Sequence, residues 1–448
     1  MQNMTTGNIQ KLILKFAIPL FVSQLFQQLY STVDSIIVGQ FLGRNALAAV
    51  SSSGPLVYLI VSFFDGASMG AGILIGKSFG AGDDKAVKRA VHTQIVLSLC
   101  AGLAITAFGS IFTPALLRLI KVDPVLLPEA IQYFKVFFMG SISLTMYNCF
   151  RSIMTSVGDS KRPLYYLIIS SCINVCLDYL FVGVIGLGVW SAALATILAQ
   201  STSAILCLIY LAKPGKVISV SARDLGLYKD EVRLILKYGL PAGVQNSVIG
   251  LANVIVQAQI NSFGAIATST HGIYGRIEGF VFIPIMSFNM SITTFISQNL
   301  GAKKYDRAKQ GARFGIFSAV ILAEVLGLLY YVFNQQLFGL FISNDPDVFA
   351  LGMTQVHTIV PFYCLLAFSH SIAAVCRGSG KAIVPMGVML GTWCVIRIAY
   401  ILSVMHFFGE IIYVYWAYPL TWFLSSVIYL IYYVKSDWVH GFENERRR

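Results

Sequence analysis

Residues 12–19 read LILKFAIP, and residues 234–241 read LILKYGLP. The phrase returns 222 positions later with its proline in the same place, the mark of a duplicated frame. Two more landmarks keep the interval. SFGAGDDKA (78–86) returns as NLGAKKYDR (299–307), and SVGDSKRP (156–163) returns as GSGKAIVP (378–385), at offsets of 221 and 222. The order is preserved, so the chain reads as two halves joined by a linker over 213–233, with domains at 1–212 and 234–448. Asp224 to Lys237, at the end of that linker, has the pattern of an amphipathic surface helix.

Each half is mostly apolar. Of 448 residues, 56% are apolar and 12% charged, with a mean hydropathy of +0.73. A soluble chain carries about a quarter charged residues. Mostly apolar runs long enough to cross a bilayer recur from Leu12 onward, which predicts an all-α polytopic membrane protein. The short alternating segments of a membrane β-barrel are missing. Twelve transmembrane helices are expected, at 12–39, 46–76, 90–112, 128–155, 163–184, 189–212, 234–262, 271–298, 314–336, 354–376, 384–405 and 411–434. The first is too long for a secretory signal and lacks a small-residue cleavage site, so it is expected to stay in the mature protein. The repeat groups the helices into two pseudo-symmetric six-helix lobes. Six is even, so the lobes have parallel topology, related by an axis along the membrane normal, with a substrate cavity expected between them near the midplane.

The net charge of +12 suggests nucleic acid until the basic residues are placed. Twenty-five of the 32 fall on one side of the expected spans, among them Lys85, Lys88, Arg89, Lys161, Arg162, Lys303, Lys304, Arg307 and Arg446 to Arg448. The other side holds Arg44, Arg118 and Lys121. This is the positive-inside pattern. It puts both termini in the cytoplasm of a cell (inner or plasma) membrane and removes nucleic acid as a partner. The eight cysteines all sit in apolar spans without C-x-x-C spacing and read as packing residues. No firm metal site and no cofactor are expected.

Enzyme motifs fail on inspection. AGILIGKS (71–78) nearly spells a phosphate-binding loop, but its first position is Ala71 and no strand precedes it. There is no H-E-x-x-H and no G-x-S-x-G, so an enzyme is not expected.

The informative residues are the ionisable ones inside apolar spans, each costing ~2.5–3.5 kcal/mol to insert. They are Asp34, Asp65, Lys135, Arg151 and Asp178 in the first half, and Arg276, Glu278, Glu324 and Arg397 in the second. At 1.5 Å per residue, Asp34, Asp178 and Thr196 all lie about 10 Å below the outer surface. Tyr30 stands one turn from Asp34, and Asn174 one turn from Asp178. Two carboxylates beside Asn, Tyr and Thr suit a proton or a Na⁺ ion. The structural alternative is that the two acids bond helix backbones or each other. Glu278, Arg276 and Arg397 are candidates for a second cavity, although Arg276 and His271 could neutralise Glu278 structurally. Asp65 and Glu324 fit either cavity lining or tertiary ion pairs. Pro19, matched by Pro241, removes a backbone bond and is expected to bend helix 1.

These residues resemble the MATE (multidrug and toxic compound extrusion) family over nearly the whole chain. The resemblance rests on Pro19 with TVDSIIVG (32–39), GKSFGAGD (76–83), SVGDSKRP (156–163), INVCLDYLF (173–181) and ISQNLGA (296–302). It is stronger to the prokaryotic DinF-type branch than to the NorM-type branch, whose helix 10 carries an acid that Thr354 to Cys376 lacks. The resemblance implies the MATE fold and a cation-linked site at Asp34, Tyr30, Asn148, Asn174, Asp178 and Thr196, on a helix bent at its proline. The function it implies is a monomeric, H⁺- or Na⁺-coupled antiporter exporting amphipathic, mostly cationic drugs across the lipid membrane by alternating access. Two alternatives remain. One is a flippase for lipid-linked precursors, whose pyrophosphate could meet Lys135, Arg151, Arg276 and Arg397. The other is a membrane receptor or scaffold that transports nothing.

Overall fold

The computed structural model describes residues 3–443 except 53, 121, 343 and 344, and the side chains at 44, 52 and 54–60 are likewise left undescribed. Lys121, Arg446 to Arg448 and the Arg44 side chain therefore lie outside the described residues. The fold is helical throughout the described residues. In chain order come α1 (Ile9–Phe41), α2 (Gly43–Ser52), α3 (Gly54–Gly80), α4 (Asp84–Leu119), α5 (Leu127–Met139), α6 (Ser141–Ser156), α7 (Lys161–Asp178) and α8 (Trp190–Leu211). Then follow α9 (Lys229–Asn261), α10 (Ala265–Gly301), α11 (Tyr305–Val332), α12 (Asn334–Gly339), α13 (Pro346–Ile359), α14 (Tyr363–Gly378), α15 (Ile383–Met389), α16 (Arg397–Phe407) and α17 (Ile411–Lys435).

Among the described residues, ten helices are long and apolar enough to cross a membrane, three of them counted through a π or 3₁₀ turn. One expected span is interrupted: that at 128–155 comprises α5 and α6, which meet at Gly140. The span at 46–76 contains α2 and α3, and residue 53 between them lies outside the described residues. A β-carbon on Gly140 would lie 2.1 Å from Ile197 Cγ1, so only glycine lets the junction pass so close to α8. α1 runs unbroken through Pro19, and α9 through Pro241.

The chain forms two compact units, one of Met1–Asn3 with Val22–Gly243 and the other of Met4–Phe21 with Val244–Arg448. α1 and α9 are thus each divided between the units. The divisions fall after Phe21 and after Gly243, two residues past Pro19 and Pro241 and 222 residues apart. The repeat is also written in the backbone. Left-handed residues occur in pairs at nearly this interval: Gly43 with Gly264, Gly82 with Lys303, Gly158 with Gly380, and Gly186 with Gly409.

In the first unit α4 packs on α5 and α6, and α8 on α6 and α7. Ile37, Val38, Leu117, Phe134, Phe138 and Val182 are core residues there. In the second, α10, α11 and α14 pack on one another around Tyr274, Ile285, Tyr330, Tyr363 and Trp422.

Candidate functional site

Asp178 is the last residue of α7, and the chain continues directly into a π turn, Tyr179–Val184. Such turns break the regular backbone ladder and are frequent at functional sites. Asp178 is fully buried, and so is Asn174 one turn earlier. The Asp34 carboxyl group on α1 adjoins that of Asp178, and the Asn174 amide adjoins Asp178 as well. Neither Asp178 oxygen, nor Asp34 Oδ1, nor either amide atom of Asn174 has a hydrogen-bond partner of normal geometry among the described residues. Two ionised carboxylates held side by side without donors would cost several kcal/mol. A proton or a small cation between them removes that cost, so the arrangement is suited to loading and unloading a positive charge.

Tyr30 joins this group through α8, where Gln200 Nε2 donates to its hydroxyl at 3.5 Å. Gln27 also faces Tyr30. Tyr133 on α5 is buried within electrostatic reach of Asp34, Asp178 and Tyr30. Tyr133, Gln200 and Gln27 escaped the sequence reading. Gln200 was within its reach, since it lies one turn beyond Thr196. Tyr133 carried no signal, because α5 is rich in aromatic residues that read as core. Thr196 points its hydroxyl at the Ala192 carbonyl, 3.1 Å away. Asn148 lines an apolar cavity beside Gln94 and Thr145. Among the described residues, no hydrogen bond links Thr196 or Asn148 to the carboxylates.

In the second unit Glu278 is held by tyrosines. Tyr274 Oη donates to its Oε1 at 3.1 Å, Tyr363 Oη lies 3.4 Å from the same atom, and the two hydroxyls are 3.0 Å apart. His271 and Arg276 do not serve as its neutralising partners. His271 pairs with Gln355 at 2.9 Å, and Arg276 is exposed. Arg397 is buried immediately after a π turn, Leu390–Ile396. Its guanidinium donates twice to Thr421 Oγ1, at 3.1 and 2.8 Å, and its Cζ lies over the rings of Trp393 and Tyr418.

The other acids of the expected spans have structural partners. Asp65 faces Arg151 at 3.7 Å. Glu324 accepts the Cys364 backbone N–H at 3.1 Å, at the start of α14 where the 3₁₀ turn Val360–Phe362 interrupts the helical ladder.

The MatE family model matches residues 19–180 and again 241–438. The chain belongs to the MatE family. The two matched segments begin at the paired prolines, Pro19 and Pro241, in agreement with the repeat. A probable multidrug resistance protein of Bacillus subtilis, YoeA, is 30% identical over 93% of this chain and 92% of its own length. A Shewanella oneidensis protein named as a FAD transporter is 26% identical over 76% of each chain. Among solved structures, a MOP superfamily transporter from Pyrococcus furiosus shares the fold at a TM-score of 0.90 and 20% identity, covering 96% of each chain. This MatE chain is therefore a multi-pass membrane protein of a multidrug-efflux transporter family.

Proposed function

We propose that the protein is a cation-coupled antiporter that exports amphipathic, mostly cationic organic compounds by alternating access, with Asp34 and Asp178 carrying the coupling ion. The observation behind this reading is the carboxylate pair itself, a fully buried Asp178 adjoining a half-buried Asp34, on helices long enough to span a bilayer; among the described residues three of its four oxygens lack a hydrogen-bond donor of normal geometry. Na⁺ or H⁺ arriving from outside neutralises the pair, and release inward restores its charge. An ion and a drug that favour opposite states of one carrier are thereby exchanged across the membrane. Tyr30, Asn174, Gln200 and Tyr133 form the polar surround. In this reading α2–α3 and α5–α6 supply the last two of twelve crossings, the lobes are 1–212 and 234–448, and Pro19 bends α1. The protein works as a monomer in the cell membrane, both termini in the cytoplasm.

The flippase alternative gains no support. In the first unit Lys135 is exposed while Arg151 faces Asp65; in the second Arg276 is exposed while Arg397 is buried against Thr421.

The test is dye efflux from proteoliposomes with a pH gradient and a Na⁺ gradient imposed separately. Wild type should export under one of them. Asp34→Asn and Asp178→Asn proteins that export as well as wild type would sink the proposal.

A further inference from the structure

A second feature of the first unit lies apart from the carboxylates. α3, α4, the α5–α6 junction and the start of α9 line a partly open cavity of about 210 Å³. Its walls are mostly apolar: Phe64, Ala67, Ala101, Phe138 and Leu240 are among them, and no ionisable side chain lines it among the described residues. Ser68, Ser98, Ser141, Thr145 and Asn148 also line it, but Gln94 stands apart from these polar residues. Gln94 is 2% exposed, and both its amide oxygen and its amide nitrogen lack a hydrogen-bond partner among the described residues. A buried primary amide can accept twice and donate twice, and leaving all four positions unused beside a cavity is costly.

We propose that this cavity binds an uncharged amphiphile, a compact apolar body of about two fused rings bearing one hydroxyl or amide that Gln94 engages. Size sets the body. A cavity of about 150 Å³ takes a single benzene ring, and this one is larger. Charge sets the class, because a cation or anion would enter without a counter-charge and pay its full desolvation. Gln94 sets the handle, since it can both donate to and accept from a hydroxyl. The ligand class therefore differs from the cationic compounds of the transport reading, and the site does not depend on that reading. Phe137, which lines the cavity, stacks on Tyr133 at 6.3 Å between ring centroids, so the cavity and the carboxylate group share an aromatic wall.

The probes are 2-naphthol and naphthalene, equal in shape and differing by one hydroxyl. Binding is read by equilibrium dialysis against the full-length protein in lipid nanodiscs, with empty nanodiscs subtracted. Wild type should bind 2-naphthol saturably, one per chain, about five- to tenfold more tightly than naphthalene, the worth of one good hydrogen bond. Gln94→Leu should erase that preference while retaining naphthalene. Ala101→Phe, which fills the cavity, should remove both, and Asp34→Asn should change neither. Should Gln94→Leu not fold, the wild-type preference and the Ala101→Phe result decide. Equal affinity of wild type for the two probes, or undiminished binding to Ala101→Phe, overturns the proposal.

Discussion

Gly70 and Gly239 meet backbone to backbone. A β-carbon built on Gly70 would lie 2.2 Å from the Gly239 amide nitrogen, and one on Gly239 would lie 2.4 Å from the Ala67 carbonyl oxygen. One turn along, Gly66 meets Gly243 in the same way, at 2.4 Å. Small residues four apart on both helices let α3 and the first part of α9 cross at the closest approach backbones allow, which is how helices associate where lipid supplies no hydrophobic drive.

A methyl group at this crossing therefore has nowhere to go. Gly70→Ala and Gly239→Ala should each destabilise the protein by about 1–3 kcal/mol, since backbone cannot move aside as a flexible side chain can. Gly275→Ala is the control. Its β-carbon meets nothing within 4 Å, and helix propensity favours it by up to about 1 kcal/mol. Thermal unfolding of the solubilised proteins should show the first two losing several degrees and the third none.

Gly82 and Lys303 occupy corresponding points of the repeated loop and share the left-handed conformation, with φ of 70° and 57°. Lys303 is the only non-glycine with positive φ among the described residues. For an L-residue that conformation costs about 1–2 kcal/mol. Glycine avoids this cost but gives up some unfolded-state entropy. Gly82→Ala should accordingly destabilise by about 1 kcal/mol, and Lys303→Gly should stabilise by a few tenths to about 1 kcal/mol. Opposite signs in chemical or thermal unfolding would bear this out, and equal signs would refute it.

The sequence carried much of this and missed the rest for identifiable reasons. LILKFAIP and LILKYGLP locate both prolines, though α1 and α9 begin three and five residues before them, and the paired left-handed residues follow the interval those phrases set. The division of α1 after Phe21 and of α9 after Gly243 could not be read, because unit membership is decided by packing and leaves no mark on hydropathy. The break at Gly140 was hidden for a related reason. Hydropathy runs through it, and only the approach of Ile197 requires the glycine. Asp34 and Asp178 were matched by depth along helices, because rise per residue is constant, and Tyr30 and Asn174 by lying one turn from them. Partners set by rotation about the helix axis were harder. Thr196 shared the depth yet points its hydroxyl at Ala192, and Asn148 shared the motif yet lines the apolar cavity. Tyr133 reaches the group from a position with no distinctive signal, and Gln200 from one turn beyond Thr196.

The segment after α8 is latched to α4 through one histidine. His92 Nδ1 donates to the Lys88 carbonyl at 2.7 Å, leaving Nε2 to accept the Ser221 N–H at 3.1 Å. A carbonyl can only accept and an amide N–H can only donate, so these two bonds fix the neutral tautomer. Thr93 Oγ1 accepts the Tyr228 N–H a little further on. His92→Ala should free Ser221 and let the segment open locally without unfolding the bundle. Trypsin should then cleave near Lys216 and Arg223 several times faster than in wild type while the melting temperature hardly moves. Unchanged cleavage would show that the latch does not hold the segment.

Glu278 tests how hydroxyl groups hold a half-buried acid on which the Arg397 cation acts without an ion pair. Each tyrosine hydroxyl has one proton. The shorter contacts therefore form a chain in which Tyr363 donates to Tyr274 and Tyr274 donates to Glu278, with the 3.4 Å contact in reserve. Tyr274→Phe removes both links of the chain, but Tyr363 can then turn its proton to Glu278. Tyr363→Phe removes only the outer link. Each single change should cost about 1–3 kcal/mol, with Tyr274→Phe the larger. The double variant leaves the carboxyl group with neither hydroxyl, so its cost should exceed the sum of the singles by about 0.5–3 kcal/mol, the range of coupling between residues of one network. A double-mutant cycle on unfolding free energy measures this excess. Strict additivity would mean that the two hydroxyls act on Glu278 independently and that Tyr363 does not back up Tyr274.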